Sequence, residues 1–365
     1  MNKLMKREIQ LGKYLLGDGQ PCFITFEAGP THSGLESALK LVEEASSAGA
    51  NAIKFQIFDP EKLVKDKKQL FTYSILVNRE KNILKEVQEP LFNILKRRQL
   101  SLDQWKIVKK RADDLNLAFF ATIGFEEDLI FLQELGCHSV KIASADVNHF
   151  PLLRLAAKSK MNVQLDTGNA DLKEIKEAIR VLEKEGCDSI IIHQCPSGYP
   201  ADLRSVCLNM IKTLRETFPK YPIAYSDHTP DADMDIAAVS IGANLVEKTI
   251  TLDRLTPSVE HVFSLEPKDM KSFIKRIRDV EMALGKYNRE LSDKQKESRK
   301  SIRRSPYLKH PAKLGTRIKN LEVEFRRPGF GMSPKKWEEL LDSNFVLKND
   351  QEMNQCLNSE DFISK

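Results

Sequence analysis

Three lysines and several hydroxyl-bearing residues occur where short apolar segments of the sequence end. They are Lys54, Lys141 and Lys248, together with Thr122, Ser144, Thr167 and Ser226. Ammonium groups and short hydroxyl donors hold phosphate or carboxylate groups. If the fold brings these segments together, the residue types predict a pocket that binds an anion.

Carboxylates occur at the same kind of position, at Glu27, Asp227 and Glu247. They can balance the lysines, hold a metal or orient sugar hydroxyls. Taken singly, each lysine could equally form a structural ion pair with one of them. His228, beside Asp227, is the histidine best placed to act as a metal ligand or as an acid or base.

The segments that carry these residues alternate with helical patterns. Apolar runs predict strands at 22–29, 51–58, 117–123, 139–144, 162–168, 189–195, 222–227 and 244–250. Helical spacing predicts helices at 33–50, 102–115, 125–136, 150–160, 171–186, 201–217, 231–241 and 266–284. Asp171 and Glu174 stand at the spacing of a capping box. Segment 59–100 interrupts the alternation, and we expect an extended loop with helical pieces there.

Eight strand–helix units predict the α/β class and a (β/α)₈ TIM barrel. In that fold the site lies at the carboxyl ends of the strands, where the residues above would converge. His138, in a helix–strand turn, would lie at the opposite end. A doubly wound open sheet is the alternative, but no GxGxxG follows the first strand.

Composition bounds the class of protein. The 365 residues include 57 basic and 52 acidic side chains, a formal net charge of +5, which does not argue for nucleic acid. The first residues lack the apolar core of a signal peptide, and no apolar run is long enough to span a bilayer. The six cysteines lack CxxC spacing. We therefore expect reduced thiols and a cytoplasmic protein.

A polar segment divides the chain near its end. Residues 285–302 are typical of a linker, which leaves a barrel domain at 1–284. Residues 303–365 are too few for a second large domain, and their short strand-like pieces predict a compact β-rich module.

Nine fragments occur in a recognisable order: "FEAGPTHSG", "AGANAIKFQIF", "FFATIGFEED", "VKIASADVNHFPLL", "CPSGYPADL", "YSDHTP", "EKTITLDR", "SLEP" and "RRPGFGMSP". In this order the chain resembles the sialic acid (N-acetylneuraminate) synthases over nearly its whole length. The resemblance includes their C-terminal antifreeze-like (SAF) domain, which corresponds here to the β-rich module.

The resemblance implies an enzyme that condenses phosphoenolpyruvate with the open-chain aldehyde of an N-acetylated hexosamine such as N-acetylmannosamine. The products would be a nine-carbon 2-keto sugar acid, a nonulosonic acid, and phosphate. It also implies a divalent metal, Mn²⁺ or Mg²⁺, that polarises the aldehyde, and a domain-swapped homodimer.

The same resemblance implies roles for individual residues. Catalytic positions match Glu27, His228 and Glu260, and His228 also matches a metal ligand. Phosphoenolpyruvate-binding positions match Lys54, Thr122, Lys141, Ser144 and Ser226. Sugar-binding positions match Gln56 and Tyr199, and the partner subunit's Arg327 would close over the N-acetyl group. From their places at strand ends, we also expect Asp166, Asp227 and Glu247 to bind substrate.

The chain departs from the family at several of these positions. Thr249 stands where the family has a second metal-binding histidine, and a hydroxyl is a poorer ligand than imidazole. Asp166 replaces a serine, which adds negative charge near the anion, and Gln194 replaces the histidine of a His-Cys pair. Glu260 replaces an aspartate. The missing ligand could come from Asp166, Glu260 or His261.

Successive side chains on a strand point to opposite faces, so only one of Glu247 and Lys248 should reach the pocket. Glu247 shares a face with Thr249, which fills a ligand position in the family. We therefore expect Glu247 in the pocket and Lys248 packed toward the helices with a partner.

Three alternatives remain for function. The enzyme could use a different sugar, such as a deoxy-diacetamido hexose that leads to a legionaminic- or pseudaminic-type acid. It could instead be a related synthase that uses an aldose phosphate. A sugar-binding protein without catalysis is a further alternative, and the lysines and Glu27 argue against it.

Overall fold

The computed structural model describes residues 7–286 and 288–364 of the chain. The chain divides into two compact units, Met1–Gly285 and Lys286–Lys365. Residues 1–6, 287 and 365, which the predicted domain and linker ranges include, lie outside the described residues.

The first unit contains eight parallel strands that close into a barrel. In chain order they are β1 (Phe23–Glu27), β2 (Ala52–Ile57), β3 (Ala118–Ile123), β4 (Ser139–Ile142), β5 (Asn162–Asp166), β6 (Ile190–Gln194), β7 (Ile223–Asp227) and β8 (Leu245–Thr249). Each strand pairs with the next one along the chain, and β8 pairs with β1. The predicted (β/α)₈ barrel is confirmed, and the open-sheet alternative is wrong because the closed sheet has no edge strand.

A helix follows each barrel strand. The helices are α1 (Leu35–Ala48), α2 (Leu102–Asp114), α3 (Glu126–Glu134), α4 (Phe150–Lys158), α5 (Leu172–Lys184), α6 (Asn209–Thr217), α7 (Asp233–Ser240) and α8 (Pro267–Leu284). Outward strand side chains such as Phe26 and Phe55 belong to the large apolar core. Asp171 and Glu174 form the capping box that their spacing predicted. Among the described residues, no helix has the length and apolar character needed to cross a membrane.

A short β-hairpin covers the amino-terminal end of the barrel. Its strands, Glu8–Leu11 and Tyr14–Gly17, pair antiparallel. Leu11 and Leu16 are buried in one cluster with residues from the starts of the barrel strands: Phe23, Ala52, Phe120, Ile191, Ala224 and Leu245. The hairpin was not predicted, because charged residues separate its few apolar ones. This apolar packing closes the amino-terminal end of the barrel.

The segment between β2 and α2 is more regular than predicted. It contains the expected helical pieces, Pro60–Leu63 and Leu91–Lys96, but an antiparallel hairpin of strands Leu70–Asn78 and Ile83–Pro90 lies where an extended loop was predicted. The second strand is largely exposed and charged, so its sequence lacks the apolar alternation of a half-buried strand.

The helix predicted at 201–217 is shorter than expected. A 3₁₀ turn occupies Leu203–Ser205, and α6 begins only at Asn209. Cys207 lies between them with a φ of 48°. This left-handed conformation cannot continue a right-handed helix, which explains the interruption.

The second unit is small and has its own core. A helix, Asp293–Ile302, lies within the segment predicted as a linker, and helix Pro334–Leu341 follows further along. Strand Ser305–Leu308 pairs with Val323–Arg326, and Phe345–Leu347 pairs with Phe362–Ser364. Its core includes Leu308, Ile318, Trp337, Leu347 and Leu357.

Lys248 lies on the outer face of β8 in a buried ionic cluster. Its Nζ contacts Asp227 Oδ2 directly, donates to Thr229 O at 2.6 Å and lies 3.4 Å from Asp235 Oδ2. Lys248, Asp227 and Asp235 all have side chains with 0% exposure. Lys248 therefore has the outward position and the partner that were predicted. Asp227 was predicted to bind substrate, and that prediction is wrong because its side chain faces away from the barrel interior.

We predict that Lys248→Met destabilises the barrel unit by about 3–5 kcal/mol, because it leaves two buried carboxyl groups without their cation. The measurement is the shift in urea unfolding followed by circular dichroism. Lys275→Met is the matched control, since Lys275 pairs with Asp279 on the exposed surface of α8 and should change stability by less than about 1 kcal/mol. Equal shifts for the two variants would contradict a structural role for the cluster.

Candidate active site

The centre of the site is Glu247, whose carboxylate joins two buried lysines. Its Oε1 lies 2.9 Å from Lys54 Nζ, and its Oε2 lies 2.6 Å from Lys141 Nζ. None of the three side chains is more than 6% exposed. They come from β8, β2 and β4, so closure of the barrel brings them together. Glu247 thus lies inside the barrel, as the strand alternation predicted.

Glu27, at the end of β1, contacts the same Lys54. Its Oε2 lies 2.5 Å from Lys54 Nζ, and its Oε1 accepts a hydrogen bond from Gly29 N at 2.7 Å. A side chain at Gly29 would bring its Cβ to 2.7 Å from the backbone nitrogen of Gln56, a distance that real Cβ atoms do not adopt. Lys54 also donates to Thr122 Oγ1 at 3.3 Å. These predicted residues therefore form one cluster.

Lys141 carries the other half of the network. Its Nζ donates to Ser226 Oγ at 2.9 Å and lies 3.1 Å from Asp166 Oδ2. Ser226 Oγ in turn donates to Asp166 Oδ1 at 3.0 Å. His193 lies 2.9 Å from Ser226 Oγ through Nδ1 and 2.9 Å from Gln164 Oε1 through Nε2. His193 is one of the polar residues that we expected at strand ends, although with no defined role, whereas Gln164 was not singled out from the sequence. Both have the inward position of their strands.

Burial opposes every charge in this network, and the contacts between lysines and carboxylates offset it. Burial alone would raise the pKa of Glu247, but the ammonium groups of Lys141 and Lys54 bring it below its ordinary value. Burial lowers the pKa of Lys54 in spite of Glu247. For Lys141 the effect of burial is outweighed by Asp166 and Glu247, so its pKa is raised. Of the two lysines, Lys54 is therefore the one that gives up its proton more readily.

Aromatic rings border the network at the mouth of the barrel. Tyr199, which is 42% exposed, has its ring centroid 4.6 Å from that of His228 and 6.5 Å from that of Phe263. His228 Nδ1 lies 3.1 Å from Pro196 O. A carbonyl oxygen only accepts hydrogen bonds, so Nδ1 carries the proton and Nε2 keeps its lone pair. The latter atom is available as a ligand or a base.

Glu260 lies in the loop after β8 with a φ of 70°, a conformation that non-glycine residues seldom adopt. Thr249 Oγ1 donates to its Oε2 at 3.5 Å. Burial raises the pKa of Glu260 to about 7, although the charge of Arg98 opposes the shift. Arg98 forms no ion pair with any described residue, and burial lowers its pKa to about 10. Sequence analysis missed Arg98, because it belongs to the irregular segment between β2 and α2.

The residues fit a metal ion only in part. His228 offers the lone pair of Nε2, but among the described residues no three His, Cys, Asp or Glu side chains are grouped as a metal centre. Asp166 is bonded to Lys141 and Ser226, and His261 Nδ1 lies 2.7 Å from Thr251 Oγ1. Among the described residues, no such group forms around His228 in place of the family's second histidine ligand, whose position Thr249 holds.

Two further predicted residues do not belong to the barrel strands. Ser144 lies in the turn after β4 and accepts a hydrogen bond from Asn169 Nδ2 at 3.3 Å. Arg327 belongs to the second unit and is exposed. Asn169, also missed by sequence analysis, accepts a hydrogen bond from Ser197 at 3.0 Å and so links the loops after β5 and β6.

Cavities also occur at the other end of the barrel. One of about 200 Å³ and another of about 420 Å³ share Gly12, Cys137 and His138 in their walls. His138 is exposed there, at the end opposite to the network, as predicted. The buried lysines and carboxylates do not line either cavity.

We predict that His193 stays neutral in the folded protein well below pH 6. Burial, reinforced by the charge of Lys141, lowers its pKa from 6.5 to about 3. Between these two values the unfolded chain takes up a proton that the folded chain does not, so this residue makes stability fall as the pH falls, by about 1.4 kcal/mol per pH unit. The measurement is an NMR titration of ¹⁵N-histidine-labelled protein, with the resonance assigned by its loss in His193→Gln. A midpoint near 6.5 would contradict the burial argument.

Comparison with known proteins agrees with this geometry. A family model with the description NeuB family matches residues 41–289. The chain is 33% identical over 337 residues to an N,N'-diacetyllegionaminic acid synthase of Legionella pneumophila. The matched region covers 91% of this chain and 92% of the relative. It is 29% identical over 357 residues to a pseudaminic acid synthase of Campylobacter jejuni, at 97% and 100% coverage. The crystal structure of an N-acetylneuraminic acid (sialic acid) synthetase from Leptospira borgpetersenii, in complex with citrate, superposes with a TM-score of 0.70 at 31% identity, over 81% of this chain and 96% of that one. The predicted family is thereby confirmed, and the chain belongs to the NeuB family. The correspondence of the second unit to an antifreeze-like domain stays a prediction.

Proposed function

We propose that this protein is a transferase that condenses phosphoenolpyruvate with an N-acetylated hexosamine and water to give a nonulosonic acid and phosphate. The observation that carries the proposal is the pair of buried lysines, Lys54 and Lys141, joined by Glu247 at the carboxyl ends of the barrel strands. With the hydroxyls of Thr122 and Ser226 they provide donors for a phosphate and a carboxylate that lie within a few ångströms of each other.

The reaction would begin with attack of the enol carbon C3 on the sugar aldehyde, which forms the new C–C bond. Water then adds to C2, and the tetrahedral intermediate collapses with cleavage of the C–O bond to phosphate. Lys54 and Lys141 would hold the donor, while Glu27 would orient a sugar hydroxyl or accept a proton from it. Gln56 is half-buried beside Gly29, and Tyr199 is exposed at the mouth, so both can contact the sugar.

Synthases of this family are generally metal-dependent. We propose Mn²⁺ or Mg²⁺ for this chain, with His228 Nε2 as the protein ligand that the geometry leaves available. Such an ion would act as a Lewis acid on the aldehyde. The side chain at the second ligand position, Thr249, is suited to hold a metal-bound water. Glu260 accepts its hydrogen bond, which places a carboxylate next to that position.

The acceptor sugar decides between the alternatives. N-acetylmannosamine would give a sialic acid, and a deoxy-diacetamido hexose would give a legionaminic- or pseudaminic-type acid. The relatives named above include synthases of each type, so we propose an N-acylated hexosamine in general terms. An aldose phosphate has less support, because the family match favours amino sugars. A sugar-binding protein without catalysis has the least, because the complete lysine–carboxylate network is present.

The six cysteines are unpaired. Free thiols agree with a reducing compartment, and we place the enzyme in the cytoplasm.

We predict that phosphate is released from phosphoenolpyruvate only when an amino sugar is added. The assay offers N-acetylmannosamine, its 6-phosphate and diacetamido hexoses, each with Mn²⁺ or Mg²⁺. Lys54→Met should lower kcat/KM for phosphoenolpyruvate by on the order of 100-fold or more, because it removes a cation that holds the donor. Lys275→Met, on the exposed surface of α8, is the control and should be unchanged. If no sugar gives phosphate the reaction is wrong, and if Lys54→Met is fully active the donor site is wrong.

We also propose that the enzyme is a homodimer in which the partner subunit's Arg327 completes the sugar site. Arg327 is exposed and forms no ion pair with the described residues, whereas its neighbour Arg326 is paired with Glu324. A guanidinium that is free in one copy is available to another.

This arrangement predicts complementation between two inactive variants. Arg327→Ala and Lys54→Met should each lack activity as homodimers, and a mixed dimer should regain about half of the wild-type rate, because one of its two sites is intact. Tandem affinity tags isolate the mixed dimer. A monomer in light scattering, or a mixed dimer without activity, would refute the proposal.

A further inference from the structure

The Asp166 carboxylate occupies the donors that an incoming anion would need. Its Oδ2 lies 3.1 Å from Lys141 Nζ, and its Oδ1 accepts the hydrogen bond of Ser226 at 3.0 Å. A carboxylate that contacts an ammonium and a hydroxyl in this way has the same contacts that a bound phosphate or carboxylate ligand would make. The anion subsite around Lys141 is therefore filled by a side chain of the protein itself.

Asp166 is also the member of this group that can leave. Its side chain is 14% exposed, whereas that of Lys141 is fully buried. It is the last residue of β5, where the strand meets the mouth of the barrel. Lys141 keeps Glu247 as a partner at 2.6 Å when Asp166 moves away, so the lysine would not be left unpaired.

The charge of the network makes this competition significant. Two cations, Lys54 and Lys141, face three carboxylates: Glu27, Asp166 and Glu247. With His193 neutral, the formal sum is 2 − 3 = −1. A phosphate-bearing donor carries at least two negative charges, so it enters a pocket that already has an excess of one. Without Asp166 the same pocket would be neutral.

We propose that Asp166 is an internal competitor for the anion subsite, which must release Lys141 and Ser226 before a phosphate or carboxylate ligand can bind there. The inference rests on the proposed function for the identity of the ligand, but not for the competition itself. Asp166 then sets the concentration at which the donor fills the site. It is a specificity residue, because a ligand of lower negative charge meets a smaller barrier.

Equilibrium binding of inorganic phosphate and of phosphoenolpyruvate tests the proposal, measured by isothermal titration calorimetry at neutral pH in the presence of EDTA. Asp166→Asn keeps the shape of the side chain and removes its charge, and Asp166→Ser also removes its length. Both should bind phosphate more tightly than the wild type, with Kd lower by on the order of tenfold or more. The gain should shrink at high salt, because it is electrostatic.

Asp188→Asn is the matched control. It removes the same charge from an exposed residue just before β6, at the other end of the barrel, and should leave Kd unchanged. Adding Ser226→Ala to Asp166→Asn should remove part of the gain, because the hydroxyl that Asp166 releases is then absent. Thermal unfolding shows which of the variants are folded. If Asp166→Asn does not fold, Asp166→Ser still tests the proposal.

Phosphate binding that is unchanged or weaker in both Asp166 variants would overturn the proposal, since Asp166 would then be only a structural partner of Lys141. The same holds if Asp188→Asn gives an equal gain. Tighter phosphate binding without any sugar-dependent release of phosphate would leave the competition established and refute the proposed reaction. If the wild type releases phosphate in the presence of a sugar but the variants bind phosphate with unaltered affinity, the proposed reaction stands and the competition is refuted.

Discussion

The contact of Glu247 with two ammonium groups is the interaction on which the rest of the site depends. Lys54 and Lys141 are buried from water, and a buried charge is costly unless a partner of opposite sign lies close. One carboxylate serves both lysines, so the three side chains are held at fixed distances by a single residue. Because they come from three different strands, this arrangement exists only when the barrel is closed.

A second ionic cluster lies on the outer face of β7 and β8, and its contrast with the inner cluster shows what a ligand site requires. Lys248, Asp227 and Asp235 are packed between the barrel and α7 with no exposed side-chain surface. They have no route to a ligand, and their role is structural. The inner cluster is also buried at Glu247 and Lys141, but it continues through the partly exposed Asp166 to the mouth of the barrel. Access to solvent, not the number of charges, separates the two.

The alternation of apolar runs with helical patterns was sufficient to predict the eight strands, because a strand that is buried on both faces consists mainly of apolar residues. The same period of two predicted that Glu247 points inward and Lys248 outward. Applied to β7, the same period would have placed Ser226 inside and Asp227 outside. Asp227 was assigned to the substrate because it ends a strand, without regard to the face on which its side chain lies.

Other features could not be predicted because they depend on contacts distant in sequence. Arg98, whose charge acts on Glu260, follows a hairpin that has no clear apolar alternation. The role of His193 depends on its contacts with Gln164 and Ser226. These contacts arise because β5, β6 and β7 are neighbours in the barrel. The N-terminal hairpin owes its position to Leu11 and Leu16, which fit the end of the barrel only once it has closed.

A gradient of burial along the barrel axis follows from this packing. The amino-terminal end is filled by apolar side chains, and the layer above it by Lys141, His193 and Gln164, which are fully buried and hydrogen-bonded to one another or to common partners. Two polar groups lie nearer to solvent: Asp166 has a partly exposed side chain, and burial raises the pKa of Glu260 to about 7. A reaction that brings in a highly charged donor needs charges that can adjust, and it also needs a framework that does not. The fold supplies both by placing the adjustable groups where the strands end and the fixed ones a few residues below.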